Sequence, residues 1–277
     1  MPELPEVEVT RRGIDAPLRG ARIVGLSLGK ALRWPLGCQP AALHGLVIGP
    51  IARRGKYLWM PLAHDDGRDA GGLLWHLGMS GSLALVPGDA AAGAHDHVDL
   101  VTDRGTLRLT DPRRFGAVVF SRHLDADPAA RLLRRLGAEP FDPALTAATL
   151  HARLARRRAP IKSVLLAGDV VVGAGNIYAC EALFAAGIHP ALRADRISRP
   201  RAARLLAALR ATLGRALEAG GSTLRDFHDV HGTAGTYQAE AAVYAREGKP
   251  CPNCGAPIRR LTTGQRSTYL CPRCQKR

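Results

Sequence analysis

Two Cys-x-x-Cys pairs, Cys251-Pro-Asn-Cys254 and Cys271-Pro-Arg-Cys274, stand 16 residues apart near the end of a 277-residue chain. No other feature narrows the fold as much. A segment of this length cannot bury a hydrophobic core of its own, so something else must hold it together. Each knuckle offers two thiolates from one tight turn, and four thiolates close a tetrahedron around Zn²⁺ with no open position. The expectation is one structural zinc ion and no organic cofactor. A dithiol redox pair would account for one Cys-x-x-Cys but not for a second at this distance. Between the knuckles the chain must turn back, and Pro257–Thr263 with Arg266–Leu270 fit the strands of a hairpin about Gly264.

The same segment is strongly basic. Between residues 245 and 277 eight Lys and Arg side chains face one acid, Glu247, within a chain of net charge +15. That excess disfavours an acidic metabolic enzyme and favours a polyanionic partner, nucleic acid ahead of a membrane surface. Arg156-Arg157-Arg158 with Lys162 forms a second basic run, which taken alone is more often a solvated face. The opening Met1-Pro-Glu-Leu-Pro-Glu6 has neither the basic nor the apolar region of a signal peptide, and no stretch has the roughly 20 apolar residues of a membrane span. Cys38 and Cys180 stand alone, which argues against a disulfide framework. The expected setting is the cytoplasm, at the nucleoid, with no membrane and a monomeric chain.

The chain length suggests two domains with an appendage. A helix is expected from the N-terminus to about Gly13, with Pro5 in its first turn and Glu6 and Glu8 at its positive end. From about residue 20 to 122 short strands alternate with turns: Arg22–Leu28, Tyr57–Leu62, Leu73–Leu77, and a meander of Val98–Thr102, Thr106–Thr110 and Gly116–Phe120. Asp127 and Pro128 should open a helix that Gly137 closes. Four further helices are expected over Thr146–Arg157, Ile161–Ala167, Ile177–Ala186 and Ser198–Ala219. The resulting class is α+β and multidomain. An N-terminal β-sandwich with a flanking helix occupies 1–136, a linker 137–145, a helical domain 146–241 and the zinc finger 242–276.

Two further motifs carry chemistry. Gly173-Ala-Gly-Asn-Ile-Tyr178 departs from a dinucleotide fingerprint, which needs Gly or Ala where Tyr178 stands. A glycine turn that leads Asn176 into a helix start and offers donors to a phosphate is the alternative. At the N-terminus, a Met-Pro start usually loses its methionine, which would leave Pro2 with a free secondary amine. An α-amino group titrates at about 7.7–8.0, so part of it is neutral and nucleophilic at pH 7. Glu3 and Glu6 lie near enough in sequence to move protons beside it. Pro and Glu are also common helix openers.

Several motifs in one order resolve these alternatives. Met1-Pro-Glu-Leu-Pro-Glu-Val-Glu8, Leu77-Gly-Met-Ser-Gly-Ser82, His95-Asp-His-Val-Asp-Leu100, Asp111-Pro-Arg-Arg-Phe-Gly116, Gly173-Ala-Gly-Asn-Ile-Tyr178 and the two cysteine pairs together resemble the formamidopyrimidine-DNA glycosylases. The resemblance runs from residue 2 to residue 276. It implies a helix–two-turn–helix DNA-binding domain in the middle of the chain, with damaged double-stranded DNA held in the cleft between the domains. It also implies a base-excision enzyme that removes 8-oxoguanine and formamidopyrimidines through a Schiff base on Pro2, then nicks the abasic site by β- and δ-elimination. Glu3 would be the proton donor or shuttle, Glu6 a supporting acid, and Lys56 the lysine of β-elimination. Arg266 matches the arginine of δ-elimination, where a guanidinium is better suited to clamp phosphates than to give up a proton. Met79, Arg113 and Phe115 match the residues that fill the gap left by the everted base. His95, Arg113, Arg157, Lys162 and Asn176 match DNA-contacting positions, and Gly235-Thr-Tyr-Gln238 falls at the lesion-covering loop. Ala167-Gly168 and Cys180 depart from the family's habit. The endonuclease VIII group, which acts on oxidised pyrimidines, usually opens Pro-Glu-Gly-Pro; Leu4 and the Met79, Arg113 and Phe115 set point to the purine branch. A non-catalytic zinc-ribbon DNA-binding protein is the remaining alternative.

Overall fold

A computed structural model describes residues 2–88, 90–222 and 235–277. It divides into two compact units, Met1–Arg134 with Ala219–Thr236, and Arg135–Glu218 with Tyr237–Arg277.

The first unit opens with α1 (Leu4–Leu18). This helix continues to Leu18, past Gly13, where the sequence suggests it would stop. Val7, Ile14 and Leu18 recur on one face and are buried in the core, and burying them outweighs the ~1 kcal/mol that a helical glycine costs. Nine strands follow: β1 (Ile23–Leu28), β2 (Val47–Ile48), β3 (Ala52–Arg54), β4 (Tyr57–Ala63), β5 (Asp69–His76), β6 (Ser82–Val86), β7 (Asp96–Thr102), β8 (Gly105–Thr110) and β9 (Ala117–Ser121). They form two antiparallel sheets, β1-β7-β8-β6 and β2-β4-β5-β9, with β3 also paired to β4. Leu83, Leu100, Leu107 and Leu109 of the first sheet meet Met60, Leu73, Trp75 and Val118 of the second in one core, so the expected sandwich is present.

One expected pairing is not present. The third strand of the meander does not join β7 and β8. After Thr110 the chain crosses between the sheets, and β9 pairs with β5 instead, with His76 opposite Ala117. β9 is apolar on both faces, as a strand covered on both sides must be: Val118 enters the sandwich core, and its sheet is covered outside where Trp59 and Leu74 pack on Ala129 of α2 (Ala129–Leu133). α2 is shorter than expected. It begins after a cis Asp127–Pro128 bond, and Asp127 accepts a bond from Arg131 N at 3.1 Å.

The second unit contains α3 (Ala147–Leu154), α4 (Ile161–Ala167), α5 (Asn176–Ala185), α6 (Arg199–Glu218), α7 (Tyr237–Glu240) and a hairpin of β10 (Arg259–Thr263) and β11 (Arg266–Leu270). Thr146 caps α3, its hydroxyl accepting from Thr149 N at 3.2 Å, and left-handed Gly168 (φ 72°) ends α4. α3 stops at Leu154, short of Arg157. Along α6, Ala202, Leu205, Leu209, Leu213 and Ala216 form the buried stripe.

Residues 137–145, expected as a linker, are bonded into this unit. Gly137 and Ala138 donate to Gly168 and Val170 carbonyls, and the Arg210 guanidinium donates to carbonyls of Pro140, Asp142 and Leu145 at 2.7–3.0 Å. These bonds also explain why α2 ends before Gly137: from Arg135 onward the chain belongs to the second unit and takes its backbone partners there. The zinc-finger segment is not a separate body either. Val243, Cys251, Ile258 and Cys271 share a buried cluster with Cys180 and Phe184 of α5. No helix among the described residues is long and apolar enough to cross a membrane.

Candidate active site

At the head of α1, Pro2, Glu3 and Glu6 are all buried. Glu3 is the N-cap, and Glu6, three residues on, returns its Oε2 to accept from Glu3 N at 2.8 Å. Its other oxygen, Oε1, accepts from Ser222 N at 2.7 Å. One carboxylate therefore ties the start of the chain to a segment 216 residues further along. Left-handed Gly221 makes room for it, since a Cβ there would press on the Glu6 side chain at 3.1 Å. Two buried carboxylates, Glu3 and Glu6, therefore stand together at the positive end of a helix. Met1 lies outside the described residues.

Lys56 sits at the tip of the two-residue turn between β3 and β4, where Gly55 takes φ 60°. The strand before it is held to α1 by Arg53, whose Nε meets Glu8 at 3.1 Å, and by Asp15, which accepts from Ile51 N at 2.7 Å. Burial would raise the Glu8 carboxyl, but Arg11, Arg12 and Arg53 together hold it below its ordinary value. Opposite Tyr57 in the register stands His76, with ring centres 4.7 Å apart. Burial, then the charges of Lys56 and Arg33, pushes the His76 imidazole down to about 4, so it is neutral at pH 7. Gly78 N donates to its Nδ1 at 3.1 Å, leaving Nε2 as the protonated nitrogen. His76 is absent from the residues that the sequence singles out, because the motif carrying the resemblance begins one position later, at Leu77. Its only signal is its place at a strand end before a glycine turn.

Met79 and Phe115 are exposed at 37% and 43%. They stand on neighbouring connections, 77–81 and 111–116. The Arg113 guanidinium lies over the Phe115 ring at 4.9 Å. His95 is exposed, and its carbonyl accepts from Asp111 N at 2.8 Å.

In the second unit the expected DNA contacts separate. Arg157 is half-exposed and paired with Asp169. Lys162, expected on DNA, is fully buried. Its ammonium donates to Asn176 Oδ1 at 2.6 Å, Thr268 Oγ1 at 2.7 Å and Ser267 O at 3.1 Å. Asn176, first residue of α5, donates to the same Ser267 carbonyl at 3.0 Å and to the Tyr244 hydroxyl at 3.4 Å. Lys162 thus joins α4, α5 and β11 from inside, next to exposed Arg266. The β10–β11 turn is two residues long, with Gly264 at φ 55° and Gln265 at φ 62°, the left-handed pair that a tight hairpin requires. Thr236 of the expected lesion-covering stretch bridges Ser222, and Tyr237 begins α7, buried against Tyr178.

The four cysteine sulfurs lie within 4.8 Å of one another, Cys251 to Cys274 at 3.8 Å and Cys254 to Cys271 at 3.5 Å. A tetrahedron with metal–sulfur bonds of about 2.3 Å has edges of about 3.8 Å, so the set fits one structural zinc. Glu181, buried in α5, accepts backbone N–H bonds from Ala242, Val243 and Tyr244 at 2.7–2.9 Å and anchors the approach to the first knuckle.

Comparison with known proteins gives family matches to three successive parts of the chain. A family model of the formamidopyrimidine-DNA glycosylase N-terminal domain matches residues 1–118, and one of the H2TH domain of the same enzymes matches 136–228. A zinc finger found in FPG and IleRS matches 248–277. Formamidopyrimidine-DNA glycosylases of Variovorax paradoxus and Albidiferax ferrireducens are 59% and 56% identical over 276 residues, covering all of each chain. The MutM (FPG) crystal structure from Thermus thermophilus superposes with a TM-score of 0.88 at 38% identity, covering 99% of this chain and 98% of that one. A Lactococcus lactis FPG variant in complex with a Fapy-dG containing DNA gives 0.87 at 30% identity, with both chains fully covered. With matches of this extent and order, the chain belongs to the formamidopyrimidine-DNA glycosylase family.

Proposed function

We propose that this chain is a bifunctional base-excision repair enzyme that removes 8-oxoguanine and formamidopyrimidines from duplex DNA and then nicks the abasic strand, with Pro2 as its nucleophile. The observation that carries this reading is the set at the head of α1: Pro2 buried beside two buried carboxylates, one of them bonded to both Glu3 N and Ser222 N. The relative seen on a Fapy-dG containing DNA supports the substrate class.

The lesion must leave the helix to be reached. With Met1 removed, the Pro2 amine attacks C1′ of the everted nucleotide, and the glycosidic bond breaks with its electron pair leaving on the base. The departing base takes a proton that Glu3 gives or relays. The proline nitrogen loses its own proton as the C1′–O4′ bond opens, and O4′ is protonated, which leaves an iminium. The iminium acidifies the C2′ proton; its removal expels the 3′ phosphate, and a second elimination expels the 5′ phosphate. Water then hydrolyses the iminium. Lys56 serves the first elimination, and Arg266 clamps the phosphates in the second. Met79, Arg113 and Phe115 fill the gap left by the lesion. His95, Arg157 and Asn176 hold the backbone, and Lys162 acts through Asn176 and β11. Residues 1–136 are then the catalytic part, 137–145 its connection to the helical DNA-binding part 146–241, and 242–276 the zinc finger. Its place of work is the nucleoid.

Borohydride trapping on an 8-oxoguanine·cytosine duplex tests the nucleophile. The intact chain, freed of Met1, is expected to give a covalent adduct on Pro2, and Pro2→Gly to lose it. No adduct, or an undiminished one from Pro2→Gly, overturns the proposal. Faster trapping on an oxidised pyrimidine would move the chain to the endonuclease VIII group.

A further inference from the structure

The side chains assigned to gap filling stand on two connections that the topology sets side by side. The 77–81 segment leads from β5 in one sheet to β6 in the other, and 111–116 leads back from β8 to β9. Because β6 pairs with β8 and β5 with β9, both crossings lie at one end of the sandwich. They touch backbone to backbone: a Cβ on left-handed Gly78 would collide with Gly116 N and Phe115 C.

One buried carboxylate organises the pair. Asp111 has no exposed surface. Its Oδ1 accepts from the Ser80 hydroxyl at 2.6 Å and from Arg113 N at 3.2 Å, and its Oδ2 accepts from Gly116 N at 2.7 Å. Arg113 N also reaches Ser80 Oγ at 3.3 Å. Behind it, His97 Nε2 donates to the Asp111 carbonyl at 3.0 Å, and Asp111 N donates to His95 O. The carboxylate thus closes the turn that presents Arg113 and Phe115. Through Ser80 it also holds the turn that presents Met79.

We propose that Asp111 and Ser80 are positioning residues that lock the two turns into one wedge, so that Met79, Arg113 and Phe115 enter the duplex as a unit. This rests on the gap-filling role assigned above. A loosened wedge should slow eversion of a stacked lesion and blur the choice of opposing base, yet leave the amine chemistry at an already opened site intact. Ser80 touches none of the reacting groups, so the two effects separate.

The test uses the full, zinc-loaded chain as wild type, Ser80→Ala, Ser80→Thr and Asp111→Asn. Ser80→Ala removes only the bridge between turns. Asp111→Asn puts an amide where Gly116 N or Arg113 N needs an acceptor, and is expected to lose excision at least as far. Expected for Ser80→Ala is a fall of about tenfold in single-turnover excision of 8-oxoguanine, the effect of one buried charge-assisted hydrogen bond. Preference for cytosine over adenine opposite the lesion should fall with it. Borohydride trapping on a single-stranded abasic site should stay within about twofold, and Ser80→Thr, which keeps the hydroxyl, should restore excision. Equal loss on both substrates, or unchanged excision and opposite-base preference, overturns the proposal. If wild type forms no adduct even on the single-stranded abasic site, the glycosylase reading itself fails.

Discussion

Lys162 shows how far a residue's role can depart from its charge. In sequence it belongs to the basic run after Arg156, which alone reads as a solvated face, and the family resemblance places it on DNA. In the structure it has no exposed surface, and three acceptors from Asn176, Ser267 and Thr268 surround its ammonium. Replacing it with Met should cost about 1–3 kcal/mol in chemical denaturation, because buried acceptors lose their donor. If Lys162 contacted a phosphate directly, the same substitution would also lower the salt slope of DNA binding by about one. The slope of Lys162→Met is instead expected to match wild type, and a drop near one would show that Lys162 reaches phosphate. His76 makes the converse point: nothing marks it as a site residue until the register sets it opposite Tyr57, near Lys56.

At the scale of elements, the zinc knuckles and α5 form one assembly. Glu181 accepts three successive backbone N–H groups from 242–244, and Cys180 and Phe184 pack on the knuckle cysteines. Cys180, which departs from the family's habit, therefore has a packing role. Glu181→Ala should speed zinc release to a chelating dye about tenfold, since three charge-assisted bonds are lost from the strut. An unchanged release rate would mean that the knuckles hold without it. The hairpin is legible from spacing alone, because Gly264 and two Cys-x-x-Cys turns allow few arrangements. The ends of α1 and α2 are not. Gly13 reads as a stop unless one knows that Ile14 and Leu18 are buried, and Gly137 reads as a helix end although the chain has already left for other backbone partners.

For the whole molecule, a net charge of +15 sets how DNA is found rather than which lesion is cut. Non-specific affinity should fall by about 10³-fold or more between 50 and 200 mM salt if six or more phosphates are contacted. Fluorescence anisotropy on undamaged duplex measures this, and a shallow slope would mean that most of the charge is spent internally, as Lys162 and Arg210 are. The zinc site, the family, the helix carrying Pro2 and the basic character of the finger can all be read from the amino-acid order. They follow from covalent spacing and short-range chemistry, which need no knowledge of the packing. The burial of Lys162, the passage of β9 to the other sheet and the grip of Asp111 on two turns at once emerge only in the folded chain. Each depends on which distant backbone groups meet, and burial and long-range pairing are properties of the packed molecule, not of any segment of it.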